Sequence, residues 1–168
     1  ILRLCGIQRA FPNAKIIIPF RDPIQQAASL MEQHIRFSDR HKKDRFAYNY
    51  MRWLGHHEFG LTHKPFKFDF DVGGISYRHR VDNIHYWLSL WNSTYAYLLG
   101  RADKSTVFIC YEDLCEPSGN ALESLLQLLE VPVDAWPLEN SFSMKRVRQI
   151  DGIDQKMELL SKKIYEQL

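Results

Sequence analysis

"KIIIPFRDPIQQAASLMEQH", Lys15 to His34, decides the fold because two periodicities meet inside it. Lys15 to Phe20 reads as a β-strand. Ile16, Ile17 and Ile18 follow one another without alternation, the pattern of a strand covered on both faces in a parallel sheet packed by helices. Pro19 cannot donate to a ladder, so it is expected at the last hydrogen-bonded position of the strand or just beyond it. From Asp22 the pattern changes to that of a helix. Asp22 suits an N-cap, Pro23 the first helical position, and Gln25 stands three residues after the cap. Ile24, Ala27, Ala28, Met31 and Ile35 then recur at helical spacing, with Gln25, Ser29 and Glu32 on the polar flank.

Outward from this junction, Ile1 to Ala10 suits the tail of a helix packed on a sheet, broken by "FPN". After it, "RFSDRHKKDRF" is a solvated charged stretch, "AYNYMRWLGHHEFG" is helical, and "LTHKPFKFDFDVGG" is broken by Pro65 and the Gly73-Gly74 turn. "VDNIHYWLSLWNSTYAYLLG" is the clearest long helix, its stripe formed by Ile84, Trp87, Leu88, Trp91, Tyr95 and Leu98, with Gly100 placed to end it. "TVFICY", Thr106 to Tyr111, is a second buried strand, and "EDLCEPSGNALESLLQLLEVP" turns into another helix. The alternation of strand and helix argues α/β architecture with a central parallel sheet flanked by helices. A basic loop, "SFSMKRVRQIDG", and an amphipathic helix, "DQKMELLSKKIYEQL", complete the chain.

With 168 residues, 45% of them hydrophobic, one globular domain spanning 1–168 is expected. A formal charge of +2 implies no dense face for nucleic acid. No apolar run reaches the length of a membrane span. Three cysteines without metal-type spacing read as free thiols in a reducing, cytoplasmic compartment. The chain begins at Ile1, in the middle of an amphipathic pattern, so an incomplete amino terminus is expected.

In an open α/β sheet, ligands sit beyond the carboxyl ends of the strands, where helix N-termini offer amide donors. Arg21 stands at that place and its guanidinium can grip a phosphate with two prongs; Ser29 offers a hydroxyl two turns into the helix. The same residues also fit a surface pair of Arg21 with Asp22 and a helix-interior serine. His34 is the local histidine that can face a cleft, and it fits a surface or helix-end position better than a catalytic one. His56, His57, Glu58 and His63 match no zinc spacing, so no metal is expected. Glu112 and Asp113 read as residues that cap and orient the strand-to-helix turn.

"IIIPFRDPIQQAAS", with "WNSTYAYLL" and "VFICYEDLCEPSGNALESLLQLLEVP" in the same order, resembles the sulfotransferases that use 3′-phosphoadenosine-5′-phosphosulfate (PAPS). The tail "ELLSKKIYEQL" is similar to the endings of bacterial members. The resemblance implies a three-layer, P-loop-NTPase-like fold, PAPS as the sulfate donor, and Arg21 and Ser29 on its 3′-phosphate. "SFSMKRVRQ" resembles a cofactor-closing loop of the tyrosylprotein enzymes, which implies that Ser143 and Lys145 touch the cofactor, with Arg146 or Arg148 nearby; a solvated basic loop fits these residues equally. The departure is upstream, where the family's 5′-phosphosulfate loop and general base have no counterpart before Arg21.

The resemblance implies a sulfuryl transfer from PAPS to a hydroxyl or amine on a small molecule, sugar or peptide. Residues 37–80 are expected to form the acceptor-binding or lid excursion. A nucleotide or small-molecule kinase is the second enzyme reading, although no Walker sequence is present. A non-catalytic anion- or carbohydrate-binding domain is the third.

Overall fold

The structure, a computed structural model, describes residues 3–68, 79–116, 120–132, 142–144 and 147–168; Gly73, Gly74, Lys145 and Arg146 lie outside them. In chain order the elements are α1 (Leu4–Ala10), β1 (Ile16–Phe20), α2 (Pro23–Lys43), α3 (Arg45–Trp53), a 3₁₀ turn (Gly60–Thr62), α4 (Ile84–Leu99), β2 (Thr106–Cys110), α5 (Tyr111–Leu114), α6 (Asn120–Leu128) and α7 (Gln155–Tyr165). The protein is a mixed α/β chain with a two-stranded parallel sheet among the described residues. It divides into two compact units, residues 1–22, 98–149 and 168 in the first, residues 23–97 and 150–167 in the second.

The first unit is organised by the sheet. β1 and β2 pair in parallel from Ile16 beside Thr106 to Phe20 beside Cys110. The Ile16 amide donates to the Ser105 carbonyl at 2.8 Å. In a parallel ladder alternate residues bond the same neighbour, so Ile16, Ile18 and Phe20 face β2 while Ile17 and Pro19 address the opposite edge. Pro19 therefore lies inside the strand rather than at its end, and its missing amide costs no bond to β2. The isoleucines are half-buried rather than enclosed on both faces, and β1 has one strand partner among the described residues. Gln8 ties α1 to the sheet by donating to the Thr106 hydroxyl at 3.3 Å. Leu122 and Leu126, four apart on α6, bury one face of that helix.

The second unit is built on α4. Trp87, Leu88 and Trp91 are almost completely buried, each contributing about 1.5–3 kcal/mol relative to an exposed position. Ala27, Tyr86, Trp87 and Leu88 form the centre, with Leu30, Met31 and Phe59 packed around it. The indole of Trp87 donates to the Val81 carbonyl at 2.8 Å and that of Trp91 to Gln26 at 2.9 Å, so both rings are buried with their polar edges satisfied. On α7, the Asp154 carboxylate caps the helix by accepting the Met157 amide at 3.0 Å.

The charged stretch after Ile35 is largely solvated, as expected, and it is helical. α2 runs on to Lys43, and Arg40, Lys42 and Lys43 in its last turn complement the negative end of the helix dipole. The helix read over Ala47 to Gly60 is shorter: α3 ends at Trp53, with Gly55 at positive φ beyond it. His34 and His41 stand two turns apart on one face of α2. His34 Nδ1 accepts the Gly60 amide and His41 Nδ1 the Leu61 amide, each at 3.3 Å. Gly60 has φ of +80°, and a β-carbon there would lie 2.5 Å from the His41 ring. Gly60→Ala is expected to destabilise the protein by ~2 kcal/mol or more, from left-handed strain plus the ring contact. Urea unfolding should show this as a lower midpoint with an unchanged slope.

Candidate functional site

The strand ends of the first unit bring together Arg21, Tyr111, Glu112 and Ser143. Continuing the register of Phe20 beside Cys110, "RD" after β1 runs next to "YE" after β2. Arg21 Nε stands 3.4 Å from Glu112 Oε1. The same oxygen accepts the Asp22 amide at 3.1 Å, the next amide that the ladder's alternation directs toward β2. The Arg21 guanidinium lies over the Tyr111 ring, 5.5 Å from its centroid, a cation–π contact. Tyr111 in turn donates its hydroxyl to the Ser143 carbonyl at 2.9 Å, and its ring meets that of Phe142 edge-on. Glu112 Oε2 accepts from the Cys110 thiol at 3.3 Å.

The guanidinium is held on two sides and still has donors to spare. Its Nε is shielded from solvent and makes no hydrogen bond, the Glu112 contact being too poorly aligned. Among the described residues no acceptor engages its terminal nitrogens. The site can therefore present a fork of N–H donors to a planar or tetrahedral anion. Tyr111 is a neutral partner: a hydrogen bond with the Cys115 side chain, then desolvation, raises its phenol above the ordinary value, against the opposing pull of the Arg21 charge.

Arg21 stands beyond a parallel strand, as expected, and the alternative surface pair with Asp22 is not the ion pair found. The carboxylate neighbour of Arg21 is Glu112, so "YEDL" orients Arg21 across the strands as well as starting α5. Tyr111 and Glu112 were missed as part of the site. The available signal was the alignment of "PFRD" with "ICYED" that follows once the two strands pair in register. Ser143 is exposed and enters through its backbone carbonyl. Ser29 is half-buried in α2, in the second unit. Arg148 is exposed.

His34 departs most from expectation. It is neither at a helix end nor on the surface, because α2 continues two turns beyond it and only 6% of the residue is exposed. Its ring packs 5.4 Å from Trp87 and 5.2 Å from His63. With Nδ1 accepting from Gly60, the ring proton sits on Nε2 and points to the Ser38 hydroxyl at 3.4 Å. His63 takes the opposite tautomer, donating from Nδ1 to the Glu58 carbonyl at 2.6 Å and accepting the Tyr86 hydroxyl on Nε2 at 2.7 Å. With both ring nitrogens engaged inside the core, His34 is a structural histidine.

No protein-family model, curated protein or solved structure matches the chain.

Desolvation first, then the neighbouring His63, lowers the His34 pKa below the ordinary imidazole value, with Asp82 acting weakly in the other direction. Burial also lowers that of His63, against the Glu58 and His57 carbonyls and the Glu58 charge. The folded state thus binds fewer protons than the unfolded chain, whose imidazoles titrate near ~6.5. Stability from these groups is complete above that pH and falls as pH drops below it toward the folded values. Guanidinium unfolding at pH 7.5 and pH 5.5 should show a loss at the lower pH ~. His34→Asn, whose amide oxygen can accept the Gly60 N–H without titrating, should lose less.

Proposed function

We propose that the chain belongs to a PAPS-dependent sulfotransferase of P-loop-like, three-layer architecture, and that Arg21 holds the cofactor's 3′-phosphate. One observation carries the reading: the guanidinium stands beyond the carboxyl ends of two parallel strands, fixed by Glu112 and Tyr111, and among the described residues no acceptor engages its terminal nitrogens. Ligands of open α/β sheets occupy that position. The donor set fits a phosphate monoester, since the terminal nitrogens supply two parallel charge-assisted bonds while Glu112 keeps to the Nε side. Ser29, Ser143 and Lys145 join the reading through the sequence resemblance.

When bound, PAPS supplies an activated sulfuryl group whose transfer to a hydroxyl or amine needs in-line positioning. Arg21 contributes to that positioning alone. It binds a phosphate remote from the reacting sulfur, so its role is to fix the register of the nucleotide, with Tyr111 and Glu112 limiting the rotamers it can adopt. Residues 37–80 are the proposed acceptor-binding region.

The test is titration calorimetry with adenosine 3′,5′-bisphosphate and adenosine 5′-phosphate. Arg21→Ala should weaken the bisphosphate by ~1.5–3 kcal/mol, the worth of a charge-assisted bidentate contact, and the monophosphate much less. No binding of the bisphosphate to the wild-type protein, or equal losses for both nucleotides, would remove Arg21 from the 3′ position.

A further inference from the structure

α3 is tied down on one side and bare on the other. Asp44 caps it by accepting the Ala47 amide at 3.0 Å, and the Tyr48 ring meets His41 of α2 edge-on at 5.7 Å. Ala47, Tyr48 and Met51 make its half-buried flank. Phe46, Tyr50, Trp53 and Leu54 recur at i, i+4, i+7 and i+8, so they share the other face. All four are exposed, Phe46 by 69% and Trp53 by 76%, and the Phe46 and Tyr50 rings stack at 5.7 Å to make one continuous surface. A protruding aromatic patch of this kind marks an interaction site.

The charge around the patch identifies what it meets. Between Arg36 and Leu54 stand six cations, Arg36, Arg40, Lys42, Lys43, Arg45 and Arg52, against Asp39 and Asp44. That is a surplus of four positive charges, when the whole chain carries +2. All six cations are exposed. Of the two carboxylates, Asp39 is paired with Lys42 at 3.3 Å and Asp44 is used as the cap. A second copy of this face would bring six more cations against these, which disfavours a symmetric contact. A surface of anionic lipid is complementary on both counts. Trp, Tyr and Phe settle at the headgroup level, and Lys and Arg beside them reach the phosphates. No helix among the described residues is long and apolar enough to cross a membrane.

We propose that α3 and the cationic end of α2 form a peripheral membrane-docking element that inserts Phe46, Tyr50, Trp53 and Leu54 into the interface of an anionic bilayer. This inference is independent of the cofactor reading.

The experiment is co-sedimentation of the full chain with vesicles of phosphatidylcholine alone and of equal phosphatidylcholine and phosphatidylserine, together with tryptophan emission. Binding should be confined to the anionic vesicles and weaken with added salt. Trp87 and Trp91 are buried, so in a Trp136→Phe background emission should shift to the blue and iodide quenching should fall through Trp53. Trp53→Ser with Phe46→Ser, and separately Arg40→Glu with Lys43→Glu, should each lower partitioning about tenfold or more, while Trp53→Phe retains it. The Trp53 and Phe46 substitutions lie on the solvated side, so their thermal melts should match the wild type, whereas the charge reversal opposes the α2 dipole and should melt slightly lower while staying folded; if the serine variant fails to fold, the charge-reversal variant and the Trp53 signal still decide. Absence of vesicle binding, equal binding to both compositions, or binding unchanged in the variants would overturn the proposal. So would self-association abolished by Trp53→Ser without vesicle binding, which would assign the face to a second copy.

Discussion

The register in which Phe20 stands beside Cys110 is the constraint on which the chemistry of the first unit depends. Parallel pairing brings both carboxyl ends to the same edge of the sheet, and the residue after each strand then has a fixed neighbour. Arg21 meets Tyr111, and the Asp22 amide meets the Glu112 carboxylate. A slip of one residue would turn the side chains of β1 to the other face and separate all four groups. Gln8 on the Thr106 hydroxyl and the Ile16 amide on Ser105 hold the register from the opposite end of the strands.

Placing a carboxylate beside a proposed phosphate site looks self-defeating, and magnitudes decide the matter. At an effective dielectric of ~20, a unit charge ~4 Å from Arg21 gains about 4 kcal/mol, whereas Glu112 acting on it from ~7 Å costs about 2.4 kcal/mol. Attraction wins, by a reduced margin. What Glu112 supplies in return is order: a lone arginine has several rotamers to lose on binding, and one already held by an ion pair and an aromatic face has fewer. With 18% and 22% of their side chains exposed, neither partner is fully removed from water, which limits the cost of desolvating the pair.

How much of this was readable in the sequence follows from the range of each interaction. The strand, the turn at "RDP" and the start of α2 are coded within a few residues, as is the apolar stripe of α4, and these were placed correctly by period and capping. The second half of α2 was not. Its inward face is carried by His34, Phe37 and His41, and a search for apolar recurrence passes over histidines. The burial of His34 was hidden for the same reason, because its partners Gly60 and Trp87 are supplied by segments far along the chain. Tyr111 and Glu112 were missed because their role exists only once β1 and β2 are paired. The isoleucine run, conversely, overstated burial: β-branched residues are favoured in a strand whether or not both of its faces are covered.

The two histidines on α2 also explain why one glycine is needed where it is. A neutral imidazole is one of the few side chains that can accept a backbone amide from within an apolar core without carrying charge there. For His34 and His41 to take consecutive amides, the chain at Gly60 and Leu61 must run close against α2, and the Gly60 α-carbon is left no room for a side chain beside the His41 ring. The positive φ at Gly60 turns the following residues back toward α4, where His63 finds the Tyr86 hydroxyl and Trp87. Acceptor, glycine and reversed turn form a single device, and each part is intelligible only with the other two. Because His34 and His63 are held there uncharged, acid acts directly on packing in this corner of the second unit.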